Sequence, residues 1–595
     1  MALPDPRNAW RAPTITLGWP ERLRLNLWDV PAFALVLGAL ILLTIGGAGM
    51  STPYDIGDPL DVTLDPHVLP YYALRSVLRM FAALALSISF SFIVAIAAAR
   101  SRRAEKLIVP MLDVLQSVPV LSFLTITVTG FIALFPGSLL GVECASIFAV
   151  FTSQAWNIAF SLYQSFITVP KELREAARTL HLGAWKSFWR LDVPFAMPGL
   201  IWNMMASMSG GWFFVVASEA ITVSDQTILL PGIGSYISVA IQQKDLGAIA
   251  WAIGVMFVVI LAYDQLLFRP LLAWAEKFKP EGATPDILER PWFLTMLQKA
   301  RLAEAVRAVA SWIYRGSSRS LRTVRALVPL RAQPQFPPEA NTSHDRRSIW
   351  VDRGWDALLL LGALAIALKI GEFVRESVPG DEIVQVFFYG ALTALRVFVL
   401  VAIASVVWVP IGVYIGLRPA WARRAQPIFQ FLAAFPANLF YPIAVAGIVY
   451  FHLNDEIWLS PLMVLGTQWY IAFNVIGGAS ALPRDLQLVA DNLHLPRWLW
   501  WRKFIIPGIL PAYVTGAVTA AGGAWNAAIV SEIVTWGDIE LSATGIGAYI
   551  GKASHAGDFP RLWLGTAVLC VYVIVFNRTV WRRLYEYAAE RSRLD

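Results

Sequence analysis

Hydrophobic positions along the chain fall into long runs that are separated by short polar segments. A membrane-spanning helix needs about 20 mostly apolar residues to cross roughly 30 Å of hydrocarbon. Six runs of that length lie in each half: 31–49, 72–99, 107–135, 143–168, 197–223 and 247–268, then 355–373, 385–417, 427–451, 457–480, 509–535 and 560–580. Strands of a membrane barrel would instead alternate over about ten residues. The pattern therefore predicts an all-α integral membrane protein with about 12 transmembrane helices.

The composition supports this class. Of the 595 residues, 57% are hydrophobic and 25 are Trp, and the mean hydropathy of +0.58 is too high for a soluble chain of this length. The only cysteines, Cys144 and Cys570, are too few for a disulfide framework or a thiolate metal site. Because the polar residues 1–30 are followed by no prompt small-residue cleavage site, we expect 31–49 to be an uncleaved anchor.

The basic residues predict the orientation in the membrane. Most of the 48 Lys and Arg residues lie in segments that become cytoplasmic when the N-terminus is placed inside. These segments are 1–30, 100–106, 170–190, 269–353, 418–426, 483–503 and 578–595. We therefore expect both termini to be cytoplasmic. The net charge of +7 then reflects topology and does not indicate nucleic-acid binding.

The two halves carry the same sequence pattern. Many residues of the first half recur 313 positions later; among them, His181, Trp185, Pro194, Pro198, Trp212, Glu219 and Asp245 recur as His494, Trp498, Pro507, Pro511, Trp525, Glu532 and Asp558. Upstream, Arg79, Pro110 and Pro119 match Arg396, Pro427 and Pro436 at an offset of 317. Repetition at a constant offset indicates a tandem duplication of a six-helix module.

The duplication predicts the domain organisation. Because each module has an even number of spans, the two copies point the same way in the membrane and are related by an axis along its normal. We expect a cytoplasmic segment over 1–30, one module over 31–270, a basic linker over 271–350, a second module over 351–582 and a cytoplasmic tail over 583–595. The linker holds an amphipathic stretch, which is either a helix at the membrane interface or a solvated spacer.

The cytoplasmic loop at 170–190 carries a recognisable motif. The segment "VPKELREAARTLHLGAWKSFWRLDVPFAMPGL" resembles the EAA loop of ATP-binding-cassette (ABC) importer permeases of the binding-protein-dependent type. Glu175, Ala176 and Ala177 match the name-giving residues, and Pro194 and Pro198 match the two-proline ending of the family pattern. His181 stands where the family has Gly, and Gly183 follows two positions later.

The loop at 483–503 is a more divergent copy of the same motif. Leu488, Val489 and Ala490 stand at the EAA positions, and His494 again replaces Gly. The resemblance implies two fused permease domains of the type I ABC importer fold. It also implies that both loops couple to an ATPase, through Glu175, Ala176, Ala177, Leu180, His181, Gly183, Ala490, Leu493, His494 and Pro496.

A docking helix is physically reasonable at these loops. Residues Leu173, Ala176, Ala177, Leu180 and Ala184 recur at helical spacing and predict an apolar stripe, while basic residues fall on the opposite face. Such a helix can insert its apolar face into a groove of a soluble partner. The alternative is an amphipathic loop that rests on lipid headgroups. Trp185 and Trp498 are expected to anchor at the membrane interface.

The resemblance implies a function for the whole chain. It implies the transmembrane subunit of an ABC importer in the bacterial cytoplasmic membrane, with two ATP-binding subunits and an extracytoplasmic solute-binding protein as partners. The chain has no Gly-x4-Gly-Lys-Ser/Thr motif, so we expect no cofactor in this chain and ATP with Mg²⁺ on the partner ATPase. The loop ending and the segment "SVPVLSF" resemble the nitrate, sulfonate and bicarbonate branch, which implies a small anion as the solute.

Charged residues within the apolar runs need a reason, because charge inside a membrane is costly. Arg79 precedes Arg100 by about 31 Å of helix, and Glu219 follows Pro198 by the same length, so both are expected near the outer boundary. Arg396 and Glu532 repeat this placement. We predict Arg79–Glu219 and Arg396–Glu532 ion pairs that hold an outer gate. The alternative is that each side chain reaches the headgroups independently.

Two other functions are weaker interpretations. A secondary transporter of 12 helices would share the topology, but it needs ionisable relay groups in mid-membrane and would not explain the EAA-like loops. A membrane-bound transferase is less favoured, because the six histidines have no metal-ligand spacing and no Gly-x-Ser-x-Gly motif occurs.

Overall fold

The computed structural model describes residues 37–38, 41, 44–54, 62–117, 120, 124–223, 226–278, 346–494 and 496–592. Within these ranges, seven helices are long and apolar enough to cross a membrane, or nine if each of two bent helix pairs forms one span. The helical membrane architecture predicted from the sequence is therefore confirmed.

The first half is a succession of helices with one β-hairpin. Its main elements are α1 (Leu69–Arg100), α2 (Arg102–Ser117), α3 (Leu124–Leu134), α4 (Leu140–Ile167), α5 (Lys171–Thr179), α6 (Val193–Glu219), β1 (Ala220–Val223), β2 (Gln226–Leu229), α7 (Ile233–Gln242) and α8 (Leu246–Tyr263). The turn Ala184–Ser187 and the π-helical segment Phe188–Asp192 lead into α6, and Asp264–Phe268 with Arg269–Ala275 extend α8.

The second half begins with a long helix, α9, and then repeats this order. Its elements are α9 (Arg346–Ser377), α10 (Gly380–Gly416), α11 (Pro419–Ala434), α12 (Tyr441–Tyr450), α13 (Gln468–Ser480), α14 (Arg484–Asn492), α15 (Ile506–Ser531), β3 (Ile533–Trp536), β4 (Ile539–Ser542), α16 (Ile546–Ala556), α17 (Phe559–Phe576) and α18 (Arg582–Ser592). Single turns at Asp455–Trp458 and Leu462–Leu465 precede α13, and Arg497–Leu499 with the π-helical Trp500–Ile505 precedes α15.

Small residues allow the helices of the first half to pack closely. Helix α4 lies between α1 and α6 and forms the centre of the packing. The buried hydroxyls of Ser87 and Ser91 on α1 donate to the carbonyls of Phe151 and Ala155 on α4, at 3.3 and 3.1 Å. Small hydroxyl side chains at helix contacts permit such close approach and hydrogen-bond across it.

The second half packs its equivalent helices in the same order. Helix α13 lies between α10 and α15. At Gly416 on α10 a Cβ atom would stand 2.6 Å from the Ala479 side chain and 2.6 Å from the Ile476 carbonyl on α13, so the glycine is required for this contact. The duplication seen in the sequence is therefore also a duplication of packing.

Two spans that were predicted as continuous helices are bent. The chain turns by 70° between Ala434 and Ala437, and by 43° between Leu465 and Gln468. Proline disfavours helical geometry in the preceding residue, and Phe435, before Pro436, is extended with ψ 130°. At the second bend Gly466 closely approaches Ala437, which leaves no room for a side chain.

Both halves contain a β-hairpin that the all-α prediction missed. The spans predicted over 197–223 and 509–535 end as helices at Glu219 and Ser531, and antiparallel strand pairs follow. The strand sequences "AITV" and "IVTW" are rich in the β-branched residues that favour strands. Apolar content alone did not reveal this change, because such residues suit both a membrane helix and a strand.

Other predicted segments have different outcomes. The predicted span 355–373 lies within α9, whereas 107–135 contains the two helices α2 and α3 instead of one. Most of the predicted anchor 31–49 and nearly all of the linker 271–350, with its amphipathic stretch, lie outside the described residues.

The histidines of the repeated loops adopt a backbone conformation that favours glycine. His181 and His494 have φ values of 51° and 44°, in the left-handed region. Each ring Nδ1 lies 2.9 Å from a carbonyl two residues earlier, that of Thr179 or Asn492, and as the donor it holds the ring over the turn. In the first loop the amides of His181 and Leu182 donate to the carbonyls of Arg178 and Ala177, which closes α5 with a Schellman cap.

Substitution of His181 by glycine should change the structure little, whereas substitution by valine should destabilise the end of α5. A left-handed residue costs roughly 1–2 kcal/mol for an ordinary side chain, and a β-branched one cannot recover this with a hydrogen bond. We expect His181→Val to speed amide hydrogen exchange across α5 by about 5- to 30-fold. His181→Gly should exchange close to the unaltered chain, and equal acceleration in both variants would contradict this account of the cap.

Candidate functional site

A group of buried charges joins three helices of the first half. The Arg79 Nε and Nη2 atoms on α1 donate to the two carboxylate oxygens of Glu143 on α4 at 2.6 and 2.7 Å. The Arg79 Nη1 atom also lies 2.6 Å from Glu219 Oε1 at the end of α6, and Arg75 forms a second ion pair with Glu143. All four side chains are at most 1% exposed. We call Arg75, Arg79, Glu143 and Glu219 the first cluster.

The Glu219 carboxylate is also held by uncharged donors. Ser76 on α1 donates its hydroxyl hydrogen at 2.5 Å, and the Gly234 amide at the start of α7 donates at 2.7 Å. A helix N-terminus favours negative charge. A Cβ atom on Gly232 would stand 2.3 Å from the Glu219 Cδ atom, so the first glycine of the "GIG" motif makes room for the carboxylate.

The second half has an equivalent but smaller group. Arg396 on α10 donates to Glu532 Oε1 at 3.2 Å and forms an ion pair with Glu456. Thr393 donates to Glu532 Oε1 at 2.7 Å, and the Gly547 amide at the start of α16 donates to Oε2 at 2.7 Å. We call Arg396, Glu456 and Glu532 the second cluster.

The clusters differ in charge and in exposure. Leu392 stands at the position of Arg75 in the repeat, so the second cluster has two carboxylates and a single guanidinium, whereas the first is balanced. Arg396 is 16% exposed and Glu456 is 45% exposed, while Glu532 is fully buried. The two halves are therefore equivalent in topology and unequal in electrostatics.

The structure brings the sequence-predicted charges together. The structure contains both predicted ion pairs, Arg79–Glu219 and Arg396–Glu532. The charged side chains therefore pair with each other and do not extend separately to the headgroups. The sequence reasoning missed Arg75, Glu143 and Glu456. The repeat could have revealed the two glutamates, because Glu143 and Glu456 are also 313 positions apart.

The hairpin of the second half reaches the first half. The Gly537 amide at its turn donates to the Ile241 carbonyl at the end of α7 at 3.0 Å. Asp538 in the same turn lies 3.6 Å from the Lys244 ammonium, and these side chains are 102% and 44% exposed. Gly537 has a φ of 59°, in the left-handed region that favours glycine.

The two halves also contact each other through α6 and α15. The Val120 amide donates to Asn526 Oδ1 on α15 at 3.0 Å, and Asn438 donates from Nδ2 to the Phe213 carbonyl on α6 at 3.2 Å. The two contacts are related by the repeat, since each joins the chain just after Pro119 or Pro436 to a helix of the other half. Helices α6 and α15 therefore line the boundary between the halves.

The EAA-like loops form the short exposed helices α5 and α14. On α5 only Ala177 is buried, at 7% exposure, and Leu173 and Leu180 of the predicted apolar stripe are 43% and 71% exposed. The other predicted coupling residues, Glu175, Ala176, His181 and Gly183, are exposed as well. Three of the five residues of the predicted apolar stripe, Leu173, Ala176 and Leu180, are therefore exposed in the described chain.

Helix α14 has the same arrangement. Ala490 is buried at 5% exposure, Leu493 is 65% exposed, and His494 and Pro496 are exposed. The tryptophans that follow, Trp185 and Trp498, are 64% and 71% exposed. In the ranges that the structure describes, no three His, Cys, Asp or Glu side chains are grouped so that they could hold a metal ion.

Comparison with known proteins agrees with these features. Residues 87–268 and 408–593 each match the family described as "Binding-protein-dependent transport system inner membrane component". The nitrate import permease protein NrtB of Leptolyngbya laminosa is 26% identical over 194 residues, which are 33% of this chain and 66% of that protein. The bicarbonate transport system permease protein CmpB of Synechocystis sp. is 29% identical over 173 residues, 29% of this chain and 57% of that protein.

The taurine transport system permease protein TauC of Escherichia coli is 22% identical over 207 residues, 34% of this chain and 70% of that protein. The chain spans less than two thirds of the length of the nitrate and bicarbonate proteins. The family match excludes the secondary transporter and covers more than half of the chain, in two equivalent segments. The protein therefore belongs to the inner membrane components of binding-protein-dependent transport systems and carries this domain twice in one chain.

Proposed function

We propose that the chain forms both transmembrane halves of an ABC importer for a small anion. The observation that carries this proposal is the exposure of α5 and α14. Both helices occupy the same place in the two family-matched segments, and both leave large apolar side chains uncovered. Exposed apolar faces at helical spacing are suited to a groove on a partner protein.

The proposed partners are two ATP-binding subunits and an extracytoplasmic solute-binding protein. ATP binding would close the two ATPases on each other, and α5 and α14 would move with them. The halves would then rock so that the path between α6 and α15 opens outward, and hydrolysis would reset them. In this arrangement the modules 31–270 and 351–582 are the moving bodies, 271–350 is the cytoplasmic linker, and both termini are cytoplasmic.

The anionic solute is proposed from the relatives. The matched proteins are named for nitrate, bicarbonate and taurine transport. Nitrate and bicarbonate are small oxyanions, and taurine carries a sulfonate. A sulfonate or an inorganic oxyanion is therefore the solute class that we assign to the path between the halves.

The two clusters would hold the outer gate, and the hairpins would form it. Separating buried charges costs far more than separating an exposed ion pair, which contributes about 0–1 kcal/mol. The clusters should therefore stay closed and fix each hairpin to its own half. The contacts of Gly537 with Ile241 and of Asp538 with Lys244 would break when the path opens outward.

Detergent pull-down tests the coupling loops. Residues 174–185 and 487–498 would be replaced by Gly/Ser linkers, and the unaltered chain serves as the control. We expect an ATP-hydrolysing subunit to co-purify with the unaltered chain and to be lost from the loop variant because its docking faces are gone. Absence of an ATPase from the unaltered chain would overturn the proposed function.

Removal of either arginine should destabilise the protein, but unequally. Arg79→Met leaves Glu219 buried without its cation and leaves Glu143 with Arg75 alone, which costs about 3–5 kcal/mol. Arg396→Met should cost less, because water reaches Glu456 and because two amides of α16 bind Glu532, whereas one amide of α7 binds Glu219. Thermal unfolding of the purified proteins measures the difference. Equal losses in the two variants would show that exposure of the second cluster has no energetic effect.

Cross-linking tests whether the second hairpin must move. With Cys144 and Cys570 replaced by Ser, the pair Lys244→Cys and Asp538→Cys would be joined by a short bifunctional thiol reagent. We expect uptake to fall to background and to recover when a cleavable reagent is reduced, because the cross-link holds the outer end closed. The single-cysteine variants serve as controls. Uptake by the fully cross-linked chain would contradict a moving hairpin.

A further inference from the structure

The two docking helices present different surfaces at equivalent positions. On α5, Glu175 and Ala176 are exposed. The residues 313 positions later on α14 are Leu488 and Val489, which are 53% and 51% exposed. A charged and a small side chain in one loop are thus replaced by two large apolar side chains in the other.

Three exposed apolar residues of the first loop recur in the second; outside this set, Trp189 is 50% exposed in the first loop only and Leu499 is 38% exposed in the second loop only. Leu173, Leu180 and Trp185 in the first loop are 43%, 71% and 64% exposed, and their counterparts Leu486, Leu493 and Trp498 are 41%, 65% and 71% exposed. This common set gives both loops a similar apolar base. Leu488 and Val489 are therefore an addition that is specific to the second loop.

Helices α5 and α14 also differ in net charge. The residues of α5 include three bases and two acids, Lys171, Arg174, Arg178, Glu172 and Glu175, whereas those of α14 include one base and two acids, Arg484, Asp485 and Asp491. The first docking helix has a net charge of +1 and the second of −1 by this count.

The charge of α14 argues against the lipid surface as its occupant. The cytoplasmic leaflet is anionic and attracts basic segments. The nine residues of α14 have a net charge of −1 and lack this attraction, and the basic residues of the loop, Arg497, Arg502 and Lys503, follow the helix. The four large exposed apolar residues of α14, Leu486, Leu488, Val489 and Leu493, fit an apolar groove on a protein. This argument does not apply to α5, because its net charge is positive.

We propose that the second loop is the stronger, apolar attachment point for the ATPase and that the first is the weaker, charge-dependent one. This inference rests on the proposed function and adds the chemistry of the partner. The groove that receives α14 is apolar and covers Leu488 and Val489, and binding there is insensitive to salt. The groove that receives α5 pairs with exposed charges such as Glu175, and binding there weakens as salt screens them.

Two reciprocal double variants test the assignment. Leu488→Glu with Val489→Ala gives α14 the EAA residues of the first loop, and Glu175→Leu with Ala176→Val gives α5 the apolar residues of the second. All four positions are exposed, and Glu, Ala and Leu are good helix formers, so both variants should fold. Each variant and the unaltered chain would be titrated with the purified ATPase at low salt and at about 1 M salt, where the Debye length is roughly 3 Å.

We expect the α14 variant to bind the ATPase at least about tenfold more weakly at both salt concentrations, because it loses most of two buried apolar side chains. The α5 variant should bind at least as tightly as the unaltered chain and lose less affinity at high salt. Unchanged affinity in the α14 variant, as expected of a helix that rests on lipid, would overturn the inference while the proposed function stands. No binding by the unaltered chain would overturn the proposed function itself.

Discussion

The buried carboxylate at the end of α6 and of α15 is the constraint on which that end of each half depends. Glu219 and Glu532 are fully buried, and a carboxylate removed from water must be compensated by a cation and by hydrogen-bond donors. Three groups converge on this carboxylate: the arginine on α1 or α10, a hydroxyl one turn before that arginine, and the N-terminus of α7 or α16. One side chain thus fixes the helix end, the hairpin and the next helix.

The two copies satisfy this constraint to different degrees. In the first, Arg75 supplies a second guanidinium, and the network is closed to water. In the second, Thr544 takes part instead: its amide donates to Glu456 at 2.9 Å, and its carbonyl accepts from Arg396 at 2.8 Å. An open network loses less when it is disturbed, because water can replace lost partners. The hairpin of this half contacts α7 and Lys244 of the first half, and the Asp538 and Lys244 side chains at that contact are exposed.

Features that depend on the length of a hydrophobic run or on the repeat could be predicted from the sequence. Contacts that need a third helix were missed. Hydrophobic runs gave the long helices, and helix length placed Arg79 and Glu219 at the same level, so their pairing could be predicted. Glu143 was missed because it is the first residue of the predicted run 143–168, where a charge needs no explanation. The hairpins and the bend before Pro436 were missed because apolar composition does not distinguish a straight helix from a bent one or from a strand.

The EAA-like loops and the buried carboxylates lie at opposite ends of the same two helical segments. The helical segments Ala184–Glu219 and Arg497–Ser531 begin beside α5 and α14 and end at or next to the buried glutamates, a length of roughly 50 Å. Each contains a π-helical segment just before its first proline, where a missing amide donor would otherwise break the hydrogen-bond ladder. A continuous helix moves as one body, so a displacement of one end also displaces the other end. If an ATPase moves α14, the displacement therefore reaches Glu532, which holds the second hairpin.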